Sequence, residues 1–296
     1  MVVGGRRFVV SPTLPDETRK TMRRLLGALW ARLAPDFEAE QAKTERFGAF
    51  EAGVLVVAAV GLTLMQFGGG EDVFLRLMGD TLLQRMGPVD PDTPPLFLLR
   101  SHPWYELLGL AHWVGLCVLG YVLLPSLFLV NAGHRVRDVY LGFEGFRSHI
   151  RVYLALYLAV MLPVVMVSFS PEYQRIYPFY TRAGRSWFDL LAWELLYGLQ
   201  FFGLEFFFRG FLLAGLRRWL GYGAVFVMVV PYCMLHFQKT WTESLGAIVA
   251  GIILGSLAMR YRSIWGGVMV HWMVAISMDL LSLMHQGTIP QRFWPG

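Results

Sequence analysis

The chain has 296 residues, of which 55% are hydrophobic and 16% charged, with a mean hydropathy of +0.48. A soluble domain carries about a quarter charged residues, so this chain has too few to clothe a water-facing surface. That excludes a disordered chain, a nucleic-acid-binding domain and an ordinary cytosolic enzyme. The net charge of +5 reads instead as basic loops that set orientation in a membrane.

Taken in chain order, residues 1–46 form a polar tail without the pattern of a signal peptide. Within it, Met22, Leu25, Leu26, Leu29, Trp30 and Leu33 recur at helical spacing, with Arg19, Lys20, Arg23, Arg24 and Arg32 on other positions. This pattern predicts an amphipathic helix lying on an anionic membrane surface. Residues 47–186 hold three apolar blocks, Phe47–Phe67, Leu107–Val130 and Val152–Phe169. Between the first two, Val73–Met86 is weakly amphipathic, and Pro88, Pro91, Pro94 and Pro95 break regular structure, so this stretch is expected to cap the outer surface. Residues 187–284 hold four more blocks: Trp187–Leu213, Tyr222–Phe237, Ser244–Met259 and Ile264–Met284. A short tail, 285–296, follows.

A spanning helix needs roughly 20 apolar residues. The expected fold class is therefore all-α, a polytopic transmembrane bundle of about seven helices, with six to eight open because the fifth and sixth blocks are short. With the N-terminus inside, the inner segments carry 17 Lys and Arg against 8 outside. That bias predicts an N-inside, C-outside protein, in a prokaryotic inner membrane. Cys117 and Cys233 both lie inside apolar blocks and read as small hydrophobes.

Charges inside spanning helices cost roughly 2.5–3.5 kcal/mol each on insertion scales and so mark function. The fourth block carries Asp189, Glu194, Glu205 and Arg209. Glu205 and Arg209 are four apart and share a face; Glu194, about three turns earlier, shares it too. The fifth block ends in Tyr232-Cys-Met-Leu-His236, again an i, i+4 pair, and the seventh carries His271 with Asp279 two turns on. A carboxylate among apolar residues can take a proton from water, and an adjacent arginine orients it. A histidine can donate to the oxyanion of a tetrahedral intermediate. Alternatively, Glu205, His236 and His271 could ligate zinc with one open position. Both routes lead to amide hydrolysis beside the membrane.

Glu205-Phe-Phe-Phe-Arg209-Gly210, Tyr232-Cys-Met-Leu-His236 and His271 stand in the order and approximate spacing of the CPBP (CAAX protease and bacteriocin-processing) intramembrane proteases, which include the Rce1-type prenyl-protein endopeptidases. The resemblance covers roughly Trp187 to Met284 and takes in Lys239, Glu243, Gly251, Gly255 and the Ser263-Ile-Trp-Gly run. It implies an intramembrane endopeptidase acting on a membrane-associated protein or peptide. Glu205 would activate water, Arg209 would orient it, and His236 with His271 would stabilise the oxyanion. Tyr232, Asp279 and Glu194 would support them. No cofactor is certain, and zinc is the open alternative.

Two positions depart from the family pattern. Its first motif usually reads EExxxR, where this chain has Leu204 before Glu205. Its last usually reads HxxxN, where this chain has Ala275. A non-proteolytic scaffold, such as an immunity or peptide-export factor, and a proton-coupled transporter therefore stand beside the protease. No HExxH, GxSxG-like elbow or GxGD is present. Gly251, Gly255 and Ala247 predict a close helix contact. Phe201, Phe202, Phe206, Phe207, Phe208 and Phe211 are expected to form mainly lipid-facing and packing surface. His236 would sit near the outer end of its block, so a common site requires that helix to tilt, start deeper or break near Pro231.

Overall fold

The computed structural model describes residues 16, 17, 20, 21, 23, 24, 44–85, 94–237 and 239–295. The apolar face expected of the N-terminal surface helix lies outside them, as does most of the Pro88–Pro94 break. Eight principal helices account for the described chain: α1 Ala49–Gly68, α2 Glu71–Arg85, α3 Tyr105–Asn131, α4 Ile150–Val167, α5 Trp187–Leu220, α6 Gly223–Met234, α7 Trp241–Tyr261 and α8 Trp265–Gln286. All but α2 and α6 are long and apolar enough to cross a membrane. The molecule is a polytopic helical bundle and an integral membrane protein.

The seven apolar blocks map onto α1 and α3–α8 in order. The fourth block runs on to Leu220, seven residues past its expected end, and the fifth yields a helix of 12 residues that stops at Met234, three short of its own. Leu235, His236 and Phe237 turn away instead, with the Lys239 amide donating to the His236 carbonyl at 2.9 Å. At about 18 Å, α6 is too short to span a bilayer, so its C-terminal end stops within the bundle.

The other helices are arranged around α5. Its 34 residues are mostly buried inside the protein, whereas α4 presents most of its surface outward. α5 packs on α3 and α8, α4 lies along α8, and α6 pairs with α7. Against expectation, Phe206, Phe207, Phe208 and Phe211 do not face lipid. They form the centre of the main core with residues of α1, α3, α6 and α7, because the central helix of a bundle has no lipid side to offer. Gly251 and Gly255 lie against Tyr232, Val229, Met228 and Val225, giving the close α6–α7 contact that the small-residue stripe predicts.

Two irregularities set the register near the site. Leu119–Leu123 in α3 and Phe206–Leu212 in α5 are π-helical turns, a device that recurs at functional sites because it re-aims side chains without ending the helix. The segment before α4 is also latched to the turn before α8. Ile264 N–H donates to the Tyr140 carbonyl at 2.9 Å, Ser263 Oγ to Gly142 at 2.6 Å, and Trp265 Nε1 to Leu141 at 2.9 Å. These bonds fix where α8 begins and therefore where His271 falls.

Candidate active site

α5 begins with a conventional cap: Ser186 Oγ accepts from the Asp189 amide at 3.1 Å. The Arg185 guanidinium grips the Asp189 carboxylate through Nε at 2.9 Å and Nη2 at 2.6 Å. Asp189 therefore belongs to the helix start.

Glu205 is the last residue before the π-turn, and neither it nor Arg209 has exposed surface. Arg209 Nη1 stands 3.1 Å from Glu205 Oε1, and His271 Nδ1 reaches the same oxygen at 2.8 Å. His271 Nδ1, like that oxygen, makes no hydrogen bond of good angle, whereas Nε2 is hydrogen-bonded with the Tyr232 hydroxyl at 2.9 Å. The Arg209 guanidinium lies 4.1 Å above the Tyr232 ring, a cation–π contact that offsets part of its desolvation. The Phe201 ring is nearly parallel to His271, with centroids 5.4 Å apart.

Four expected residues from three helices thus converge: Glu205, Arg209, Tyr232 and His271. The distances are those of ion pairs, but neither Glu205 oxygen nor any Arg209 nitrogen has a hydrogen bond of good angle. Both groups keep bonding capacity toward a reacting molecule. His271 retains 18% exposure of its side chain and forms the edge of the cluster that faces outward.

His236 stands one layer away. Its ring centroid is 5.1 Å from that of Tyr232, and its Nδ1 is 3.1 Å from the Tyr232 carbonyl oxygen. The short α6 brings Tyr232 to His271, with His236 packed on Tyr232. Among the described residues, no three of His, Cys, Asp and Glu come together in a way that could hold a metal ion.

Glu194 and Asp279 form a separate acidic place on α5 and α8. Asp279 Oδ2 accepts from Trp193 Nε1 at 2.7 Å, and both carboxyls are buried and near each other. Asp279 is two turns, about 12 Å, beyond His271, so neither acid reaches the Glu205 cluster. Ala275, where the family has Asn, is buried in the apolar layer with Trp193 and Tyr197. Leu204 belongs to the main core.

Two residues important to the geometry carry no functional group that sequence reading would weigh. A Cβ at Gly267 would collide with the Glu205 carboxylate, so this position must be glycine for α8 to pass so close to α5. Phe201 supplies the stacking face for His271. The Gly266-Gly267 pair was the available signal.

Residues 186–277 match the family model described as type II CAAX prenyl endopeptidase Rce1-like. No curated protein and no solved structure matches the chain. The matched stretch contains Glu194, Glu205, Arg209, Tyr232, His236 and His271. It supports an intramembrane endopeptidase acting on a protein substrate. Residues 186–277 thus resemble an Rce1-like CAAX endopeptidase domain, which is consistent with a protease of the CPBP family.

Proposed function

We propose that the protein is an intramembrane endopeptidase in which Glu205 and His271 act as one proton-accepting pair. The observation that carries this reading is the 2.8 Å approach of His271 Nδ1 to Glu205 Oε1. Burial then refines the roles. Glu205 has no exposed surface, so a proton leaving water reaches His271 Nε2 first, and the carboxylate steadies the imidazolium that results. The water oxygen bonds to the scissile carbonyl carbon as its proton passes to Nε2. The Tyr232 hydroxyl, displaced from Nε2, turns to donate to the new oxyanion, with His236 beside it. The proton on His271 then goes to the leaving amine as the C–N bond breaks.

Arg209 acts through Glu205, holding it ionised and aimed. No step is routed through a metal, and cleavage is expected to survive chelation; loss of cleavage that zinc restores would support the Glu205, His236 and His271 zinc set instead. The substrate class is a membrane-anchored peptide, for which a farnesylated CAAX peptide is the first probe, since the matched family is one of CAAX prenyl endopeptidases. The basic bias of the expected inner loops supports a cytoplasmic N-terminus in a prokaryotic inner membrane.

The direct test is cleavage of that peptide by the full chain in liposomes. Glu205→Gln and His271→Ala should each abolish turnover while the proteins still fold; undiminished cleavage by either would sink the mechanism. The apolar residues at 204 and 275 favour one rival, a non-proteolytic scaffold. It requires that Glu205→Gln leave the cellular phenotype intact.

A further inference from the structure

At the rim of the bundle beyond the π-turn of α5, four helix ends meet. They are the start of α1 at Phe50, the turn after α3 at His134 and Arg135, the end of α5 at Arg217 and Arg218, and the residue after α7, Arg262. Together they enclose a cavity of about 380 Å³. Its wall holds these four arginines against one carboxylate, Asp138. The floor is apolar, with the Phe50 ring 4.4 Å from the His134 imidazole and stacked on Phe128.

Arg135, Arg218 and Arg262 are only loosely compensated. Arg218 stands 3.8 Å from Glu45, with both side chains more than half exposed. Arg262 reaches a neutral group, the Tyr140 hydroxyl, at 3.3 Å and leans over its ring at 5.3 Å. Arg135 has no ion-pair partner among the described residues. Several like charges around one concavity raise a positive potential that draws in an anion of matching size, and planar guanidinium groups suit the oxygens of a phosphate.

We propose that this cavity binds a phosphate monoester or diester, and that its source is the headgroup of an anionic phospholipid. The position favours the lipid, because the cavity opens where spanning helices end, at the level at which lipid phosphates lie. The apolar floor suits the glycerol and upper acyl chain. Basic pockets between spanning helices are a recurrent headgroup site. The site is independent of the proteolytic reading, since none of its residues belongs to the Glu205 cluster.

The test uses the full chain in nanodiscs of phosphatidylcholine with or without phosphatidylglycerol, with retained lipid counted by native mass spectrometry. The wild-type protein should retain phosphatidylglycerol in preference to phosphatidylcholine. Each arginine removed should weaken retention about fivefold, the effect of one basic residue near a lipid surface, so Arg135→Gln with Arg262→Gln should lower it about 25-fold. Should the double variant fail to fold, Arg135→Gln alone, at an exposed position, carries the fivefold test. Inorganic phosphate and glycerol 1-phosphate, titrated onto lipid-free protein, separate the sources: arginine-dependent binding there with no lipid preference assigns a soluble phosphate. Equal retention of the two lipids with no binding of soluble phosphate, or unchanged retention in a folded variant, overturns the proposal.

Discussion

α5 and α8 carry two buried acidic places, and the two are built differently. At the first, Glu205 meets a guanidinium at 3.1 Å and an imidazole at 2.8 Å. At the second, Asp279 has an indole N–H at 2.7 Å, and its nearest charged neighbour on α5 is another acid, Glu194. Burial is equal, so burial alone does not distinguish a reactive carboxylate from a structural one. The partners do. A carboxylate with an arginine and a histidine at one oxygen has a cation and a proton carrier beside it. A carboxyl bonded by tryptophan beside a second carboxyl fastens two helices together.

That contrast is broken most severely at Glu205. Glu205→Gln preserves shape and should lower kcat by about 10²–10⁴-fold, the usual contribution of a positioned acid–base group, with little change in KM for the farnesylated peptide. A drop confined to KM would assign Glu205 to substrate binding. Arg209→Met removes the cation and leaves a buried carboxylate alone, so chemical denaturation in detergent should show a loss of about 3–5 kcal/mol. A protein of unchanged stability would mean that the ion pair is not what holds Glu205.

Smaller effects sharpen the comparison. Tyr232→Phe removes the proposed oxyanion donor and should slow turnover about 10²–10³-fold, while the lost bond to His271 Nε2 costs about 1 kcal/mol of stability. Glu194→Gln replaces one of the two neighbouring carboxyls of the second place by an amide. It should change stability by less than about 1 kcal/mol and leave cleavage intact; a large loss of turnover would bring Glu194 and Asp279 into the reaction. The least effect belongs to Glu71, a carboxylate that has donors but sits near water. Hydrogen bonds from Arg100 and then Tyr105 hold its carboxyl below the usual carboxylate range. Its contribution is present above the ordinary glutamate value and is lost as pH falls through the lowered one. A melt followed between neutral pH and pH 3 should lose this small increment in the wild-type protein and lack it in Glu71→Gln.

Much of the bundle is legible along the chain because membrane helices announce themselves by local composition. The same holds for Glu205 and Arg209, whose i, i+4 spacing lies within one helix. What the sequence hides is lateral. Nothing local says that the Tyr232 hydroxyl meets His271, 39 residues away, or that Gly267 must lack a side chain for the sake of Glu205. The phenylalanines of α5 look lipid-facing until the helix is seen to be central. His236 looks misplaced until α6 proves too short to span. The arginines at 135, 217 and 262 read as scattered loop charges until four helix ends bring them around one cavity.

The π-turn at Phe206–Leu212 divides α5 into two lengths with different rotational phase. Each residue of a helix advances it by about 100°, and a π-turn holds one residue more than an α-turn would. Deleting a single residue there would let an ordinary α-turn close in its place, so Glu205 would keep its face and Arg217 and Arg218 theirs, whereas a deletion elsewhere between them would swing one against the other by that angle. One helix therefore serves two differently facing places, and the π-turn is where a one-residue change in its length is absorbed.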